Sequence, residues 1–235
     1  MNVTEVMKEL KSMGSESIKK VLVQHGAVEP FYGVKIGDMK KIVKKVKIDH
    51  QLALDLYDTG VSDAMYLAGL IVDDEKMTRK DLQNWLKKAP WSMIYEYTVA
   101  WVAAESNHGY ELGLEWIDSK DEKIAVAGWA TLSGIVSMKP DEELDMKQIK
   151  SLLQRIEKEI HKAPNRVRYV MNGFIICVGS YVKELNSLAK ETGKRIGEVY
   201  VDMGGTSCKV PGVVDYIKKV EEKGNLGKKK KTVKC

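Results

Sequence analysis

Internal repetition constrains the possible folds of this chain more than any other feature of its sequence. The segment LALDLYDTGVSDAMYLAGLIV at 52–72 resembles LGLEWIDSKDEKIAVAGWATL at 112–132, a related segment begins near residue 81, and a fourth unit covers 149–180. Each unit has the pattern of a helix, a short turn and a second apolar helix. Such pairs bury both faces only by stacking on their neighbours. The repetition therefore predicts an all-α fold, a curved α-α superhelix of HEAT-like helical repeats, with an irregular helical bundle as the alternative.

Helical periodicity extends over most of the remaining sequence. Apolar residues at a spacing of three and four, flanked by lysines, predict a helix over 38–47. Strand-like alternation is nearly absent, and its one candidate is EVYVDM at 198–203. In the turn that follows, we predict that Thr206 or Ser207 caps a helix starting near Pro211.

The distribution of charge suggests the domain limits. We expect one α-solenoid domain over 1–223, with the repeats in 15–195 and a C-terminal addition at 196–223. The last twelve residues, GNLGKKKKTVKC, carry five lysines and no acid, so 224–235 is predicted to be a flexible basic tail. The first 48 residues hold ten lysines and five acids. Basic character at both ends of an otherwise neutral chain predicts a polyanionic partner.

Several classes of protein are excluded by what the sequence lacks. The three cysteines are scattered, which argues against a disulfide framework and fits a reducing cytoplasm. No export signal is visible, and the longest uncharged runs, of 15 and 14 residues, are shorter than the ~20 needed to cross a bilayer. The four histidines show no paired spacing, and no glycine-rich nucleotide motif occurs. We therefore expect a cytoplasmic protein with no metal, no cofactor and no membrane association.

The lysine-rich helix is the first candidate binding feature. Lys40 and Lys44, like Lys41 and Lys45, are like charges four positions apart, which costs a few tenths of a kcal/mol per pair. Either a solvated face tolerates this repulsion, or a phosphate backbone compensates for it.

Aromatic and arginine residues supply two more candidates. Trp91 and Tyr95 share a helical face, as core residues or as a surface that stacks on a base or a deoxyribose. Arg166 and Arg168 follow the Pro164-Asn165 turn, at a predicted helix start whose backbone N–H groups suit a phosphate.

These residues carry a family resemblance. HGAVEPFYGVKIGDMKKIVKKV at 25–46, the helical pairs and the turn at Trp91 resemble the HEAT-like DNA alkylation repair family of the AlkD type. The resemblance covers about residues 1–195, and its most specific stretch is the Tyr-Gly-Val turn before the lysine-rich helix. It implies an α-solenoid whose concave basic surface holds duplex DNA. It also implies release of N3- or N7-alkylated purines without deep base flipping, by a carboxylate and two tryptophans around the sugar and an arginine on the backbone.

Only some of the residues that the resemblance implies for catalysis have a counterpart in this sequence. Trp91 matches one family tryptophan, and the second falls on Phe174. The carboxylate position is occupied by Tyr95, and the arginine position falls near Val126. A carboxylate stabilises the positive charge that develops on the sugar. Tyrosine, with an ordinary pKa of ~10, is neutral at pH 7 and does not. The resemblance therefore supports the fold and DNA binding more strongly than catalysis.

Three functional hypotheses remain open from the sequence. In the first, an alkylpurine DNA glycosylase uses Glu96 or Asp63 as its carboxylate, with Trp91 and Phe174 against the sugar. In the second, a non-catalytic protein binds distorted duplex DNA, and Tyr95 stacks instead of catalysing. In the third, the solenoid is a scaffold for protein partners.

We expect a monomer that binds duplex DNA. The predicted DNA-binding residues are Lys40, Lys41, Lys44, Lys45, Arg166, Arg168, Lys228, Lys229, Lys230 and Lys231.

Overall fold

Helices account for all the regular secondary structure of residues 1–234, the part of the chain that the computed structural model describes. The thirteen α-helices are α1 (Val3–Ser12), α2 (Glu16–Gln24), α3 (Ile36–Val46), α4 (His50–Asp58), α5 (Ser62–Ile71), α6 (Arg79–Lys88), α7 (Ala100–Glu105), α8 (Gly109–Trp116), α9 (Glu122–Met138), α10 (Met146–Glu159), α11 (Asn165–Tyr181), α12 (Asn186–Ile196) and α13 (Val213–Glu222). A π-helical turn, Met93–Val99, precedes α7. The predicted all-α fold class is confirmed.

Short polar side chains define several helix starts. Asn2 and Thr78 form reciprocal capping boxes with Glu5 and Asp81 at the starts of α1 and α6, and Asp49 accepts the Leu52 N–H at the start of α4. These contacts satisfy backbone donors that a helix leaves free in its first turn.

Two local predictions in the C-terminal addition are wrong. The 198–203 segment is extended but pairs with no strand in the described chain; instead Asn165 exchanges two hydrogen bonds of 2.8 Å with the backbone of Asp202. Its alternation reflects packing, because Val199 and Val201 are buried while Tyr200 is exposed. The next helix begins at Val213 after Gly212, so neither Thr206 nor Ser207 caps it.

The described residues form two compact units. Unit 1 comprises 1–108, 204–206 and 234, and unit 2 comprises 109–203 and 207–233. In unit 1, α4 packs on α5, and the Tyr57 ring stacks on Trp85 at 4.0 Å while its hydroxyl donates to the Trp85 carbonyl. In unit 2, α9 is the central helix and packs on both α8 and α11. The expectation of a single α-solenoid domain over 1–223 stays a prediction.

The lysine-rich C-terminal segment is docked, contrary to the expected flexible tail. In unit 2, Gly227 donates its N–H to the Ser180 carbonyl at 2.8 Å, and Lys230 donates its N–H to the Ser137 carbonyl at 2.9 Å. The Lys229 ammonium donates to the Val136 carbonyl and pairs with Asp141 at 2.8 Å. The ends of α9 and α11 leave free carbonyls, and the segment supplies donors for them. Composition alone therefore misjudged this segment.

Candidate nucleic-acid interface

Helix α3 presents its lysines to solvent because its apolar side is anchored. Met39 and Ile42 are buried in unit 1, and the lysines at 40, 41, 44 and 45 are all exposed. At 100° per residue, Lys40 and Lys44 form one row along the helix, and Lys41 and Lys45 form a second row beside it. The predicted cationic face is thus present on the surface of α3.

The two rows differ in their electrostatic state. Lys41 pairs with Asp38 at 2.7 Å, and Lys45 pairs with Glu9 of α1 at 2.6 Å. The salt bridge with Lys41 lowers the pKa of the Asp38 carboxyl. Lys40 and Lys44 form no ion pair within residues 1–234. The row of Lys40 and Lys44 is therefore the one whose charge is available to an external phosphate.

The turn that leads into α3 is held by a buried carboxylate. Asp63 of α5 accepts the backbone N–H of Tyr32 at one oxygen and that of Val34, at 2.8 Å, at the other. Between them, Gly33 has a φ of +74°, and a Cβ there would lie 2.7 to 2.9 Å from Ser15 and Lys19. Only glycine fits such a left-handed, crowded position. The Tyr-Gly-Val turn singled out in the sequence therefore has a packing reason.

This arrangement removes Asp63 as a candidate catalytic carboxylate. Its side chain is buried, and both oxygens already accept backbone donors. Asp63, which the glycosylase hypothesis offered as an alternative carboxylate, instead holds the turn that leads into α3.

The aromatic site around Trp91 is largely internal. Trp91 is 6% exposed, and its indole N–H donates to the Ser62 hydroxyl at 3.1 Å. Glu96 lies in the π-helical turn and is 5% exposed, whereas Tyr95 is half-buried. Tyr95 still donates its backbone N–H to the Trp91 carbonyl at 3.2 Å, as in an α-helix, and Glu96, one residue further into the π-helical turn, is the more deeply buried of the two.

Phe174, which the resemblance matches to the second family tryptophan, is a core residue. The ring is fully buried in unit 2, edge-to-face with Trp129 at a centroid separation of 5.3 Å. The predicted contact of Phe174 with a sugar is therefore not supported, because the ring fills the packing between α11 and α9. Val126, at the predicted arginine position, is likewise buried.

The start of α11, where a phosphate was predicted, has a carboxylate beside it. Glu122 accepts the Arg166 backbone N–H at 2.6 Å, so a carboxylate already occupies this end of the helix. The Arg166 guanidinium stacks over the Tyr169 ring at 4.3 Å, and Arg168 is half-buried with its Nε enclosed by protein. The Glu122 carboxylate thus already accepts one of the backbone N–H groups at which a phosphate was predicted, and a role for Arg166 and Arg168 in DNA binding stays a prediction.

Most of the C-terminal lysines stay exposed although the segment that carries them is docked. Lys228, Lys230 and Lys231 remain exposed, with the Lys230 ammonium 5.5 Å from the Tyr181 ring centroid, while Lys229 is engaged with Asp141. Three of the four predicted DNA-binding lysines of this segment are therefore accessible on unit 2.

Other classes of site receive no support from the geometry. Over residues 1–234, no group of three or more histidine, cysteine, aspartate or glutamate side chains is arranged to hold a metal ion. Within the same residues, no helix has both the length and the apolarity to span a membrane.

The fold and the basic helix together define a HEAT-like helical-repeat protein with a cationic surface. The family described as "DNA alkylation repair enzyme" matches residues 6–195, and the chain belongs to that family. This match agrees with the extent of the resemblance inferred from the sequence.

Relatives and a solved structure agree with this assignment. The chain is 33% identical over 223 residues to the uncharacterized protein Lin0241 of Listeria innocua, covering 92% of this chain and 96% of Lin0241. It is 32% identical over 221 residues to the uncharacterized protein Lmo0209 of Listeria monocytogenes, covering 92% and 95%. It is also similar, with a TM-score of 0.93, 35% identity and 100% coverage of both chains, to a structure described as "A new family of proteins related to the HEAT-like repeat DNA glycosylases with affinity for branched DNA structures".

Proposed function

We propose that this protein binds duplex DNA at branched or distorted sites and does not excise alkylated bases. The observation that carries the proposal is the row of Lys40 and Lys44, which are exposed, four residues apart and without an ion pair within residues 1–234. Such a row matches the repeated negative charge of a phosphate backbone. The affinity for branched DNA named for the relative of known structure supports the same kind of partner.

The arrangement around Trp91 favours binding over catalysis. Glycosidic cleavage requires a negative group beside the developing positive charge on the sugar. The matching position holds Tyr95, Glu96 is buried, and Asp63 is engaged by two backbone N–H groups. Neither of the two carboxylates, Glu96 and Asp63, is therefore an exposed group placed to stabilise the sugar cation.

Neutralising the free lysine row tests the binding proposal. We expect Lys40→Gln/Lys44→Gln to lower affinity for all duplexes alike, by about tenfold at low salt, and to reduce the log–log salt slope by about 2, because each lost phosphate contact removes about 1. Binding is measured by fluorescence anisotropy over a salt series, on a paired duplex and on a four-way junction of the same total length.

A matched double variant controls for net charge. Lys147 and Lys158 are exposed residues of α10, so Lys147→Gln/Lys158→Gln removes the same charge from unit 2. This control is expected to leave the salt slope unchanged. Equal slopes in both variants would contradict a specific role for α3, and salt-independent behaviour throughout would favour the protein-scaffold hypothesis.

Single-turnover base release tests the absence of excision. We expect wild type to release 7-methylguanine from methylated duplex no faster than the same DNA does without protein. Tyr95→Asp is expected to raise the rate, since it restores negative charge beside the sugar cation. Brisk release by wild type that is abolished in Glu96→Gln would instead identify Glu96 as the working carboxylate.

A further inference from the structure

An apolar cavity of about 290 Å³ lies within unit 1, beside Trp91. Phe31, Tyr66 and Trp91 contribute aromatic side chains to its wall, and Ile36 and Met39 contribute the inner side of α3. Its volume is close to the lower end of the range for small-ligand sites, about 300 Å³.

Helix α2 covers the cavity without filling it. None of its residues, Glu16–Gln24, is buried, although its stripe of Ile18, Val21 and Leu22 lines the cavity. Val21 is 48% exposed and therefore stands at the mouth. Ile18 and Leu22 are only half-buried, so the apolar face of this amphipathic helix leaves room for an occupant.

The charges at the cavity indicate the class of occupant. Two charged residues line the cavity: Asp63, whose two oxygens accept the backbone N–H groups of Tyr32 and Val34, and Lys35, which is exposed. Lys35 immediately precedes α3, whose outward side carries the row of Lys40 and Lys44. One helix thus lines an aromatic cavity with its inner side and presents cations on its outer side. A nucleotide has the complementary structure, a flat apolar base attached to an anionic phosphate.

We propose that this cavity receives a single unpaired nucleobase from DNA whose phosphates lie on the Lys40 and Lys44 row. The inference rests on the proposed function and extends it, because it gives a reason for preferring branched or distorted DNA. A base that is already unpaired costs least to unstack, so only such DNA presents a base to the cavity at little cost. The aromatic wall accepts any base, because each has a π face.

Filling the mouth of the cavity tests this inference. We expect Val21→Phe to lower affinity for a duplex with one unpaired 2-aminopurine by about tenfold, while affinity for the fully paired duplex of the same length is unchanged. In wild type, 2-aminopurine emission changes when the base moves from water into the aromatic cavity, and Val21→Phe abolishes this change.

Val23→Phe is the matched control. Val23 lies on the same helix, is 57% exposed and is not part of the cavity wall, so the same substitution there is expected to change neither affinity nor emission. Equal thermal unfolding midpoints for the two variants exclude a folding defect as the cause.

The outcomes separate this inference from the proposed function. If wild type binds the paired duplex with a lysine-dependent salt slope but binds the unpaired base no better, the cavity inference is wrong and the proposed function stands. If Val21→Phe weakens both DNAs equally, the inference is also wrong, because Val21 then lies against the backbone. If no DNA binds in a salt-dependent manner, the proposed function itself fails.

Discussion

Asp63→Ala is expected to destabilise the protein by about 3 kcal/mol or more in the free energy of unfolding. The substitution leaves the backbone N–H groups of Tyr32 and Val34 without their acceptor. Each unsatisfied buried donor costs about 1–3 kcal/mol. The loss is measured by urea unfolding followed by far-ultraviolet circular dichroism.

Two further variants separate the hydrogen bonds of Asp63 from its charge. Asp63→Asn retains one carbonyl acceptor, so we expect an intermediate loss of stability. Asp55→Ala removes an exposed carboxylate that accepts only from the Gln51 amide, and is expected to cost less than about 0.5 kcal/mol. If all three variants unfold alike, the buried carboxylate does not hold the turn.

Truncation after Lys223 is expected to destabilise the protein by about 2 kcal/mol, where composition predicted no change. The deletion removes the backbone hydrogen bonds from Gly227 and Lys230 and the contacts of the Lys229 ammonium with Val136 and Asp141. A net hydrogen bond contributes about 1 kcal/mol, and the entropy of ordering the segment offsets part of the sum. The thermal midpoint and the urea midpoint both report the loss.

The ion pair between Lys234 and Asp74 makes the stabilising effect of the C-terminal segment depend on pH, and this dependence is a control for the truncation. Lys234 pairs with Asp74 at 2.6 Å, and burial raises the pKa of that carboxyl to about 6 despite the pair. Because the folded pKa is above the unfolded one, ionisation of Asp74 reduces stability as the pH rises from about 4 through 6. Removing Lys234 raises this pKa further. Lys234→Gln should therefore cost more at pH 8 than at pH 5, and an unchanged midpoint after truncation at both values would restore the flexible-tail interpretation.

Those features of the candidate interface that depend only on neighbouring residues were predictable from the sequence. A helix with apolar residues at a spacing of three and four must turn its lysines outward, so α3 and its cationic face follow from residues 36–46. The ion pair between Lys45 and Glu9 was not predictable, because the two residues lie on different helices and 36 positions apart. The pairing of Lys45 was therefore decided by a tertiary contact, whereas Lys41 pairs with Asp38 within α3 itself.

The residues at the predicted catalytic positions were likewise only partly predictable from local sequence. Spacing placed Trp91 and Tyr95 one α-helical turn apart, and Tyr95 does donate its backbone N–H to the Trp91 carbonyl. Glu96, however, lies in the π-helical turn at Met93–Val99 and is buried, which the spacing did not indicate. Periodicity arguments assume 3.6 residues per turn and do not detect a π-helical insertion. Phe174 matched a family position in sequence, yet its ring is part of the core of unit 2.

The sequence by itself determined the helical class, the repeat architecture, the lysine face of α3 and the family, because each depends on periodicity or on neighbouring residues. Tertiary structure decided the role of Asp63, the docking of the C-terminal lysines and the cavity under α2. Each of these depends on a donor, an acceptor or a space supplied by a distant segment. A carboxylate has the same local sequence pattern whether it faces solvent or a backbone N–H. A lysine likewise has the same pattern whether it faces solvent, a backbone carbonyl or a carboxylate, and only the fold selects among these partners.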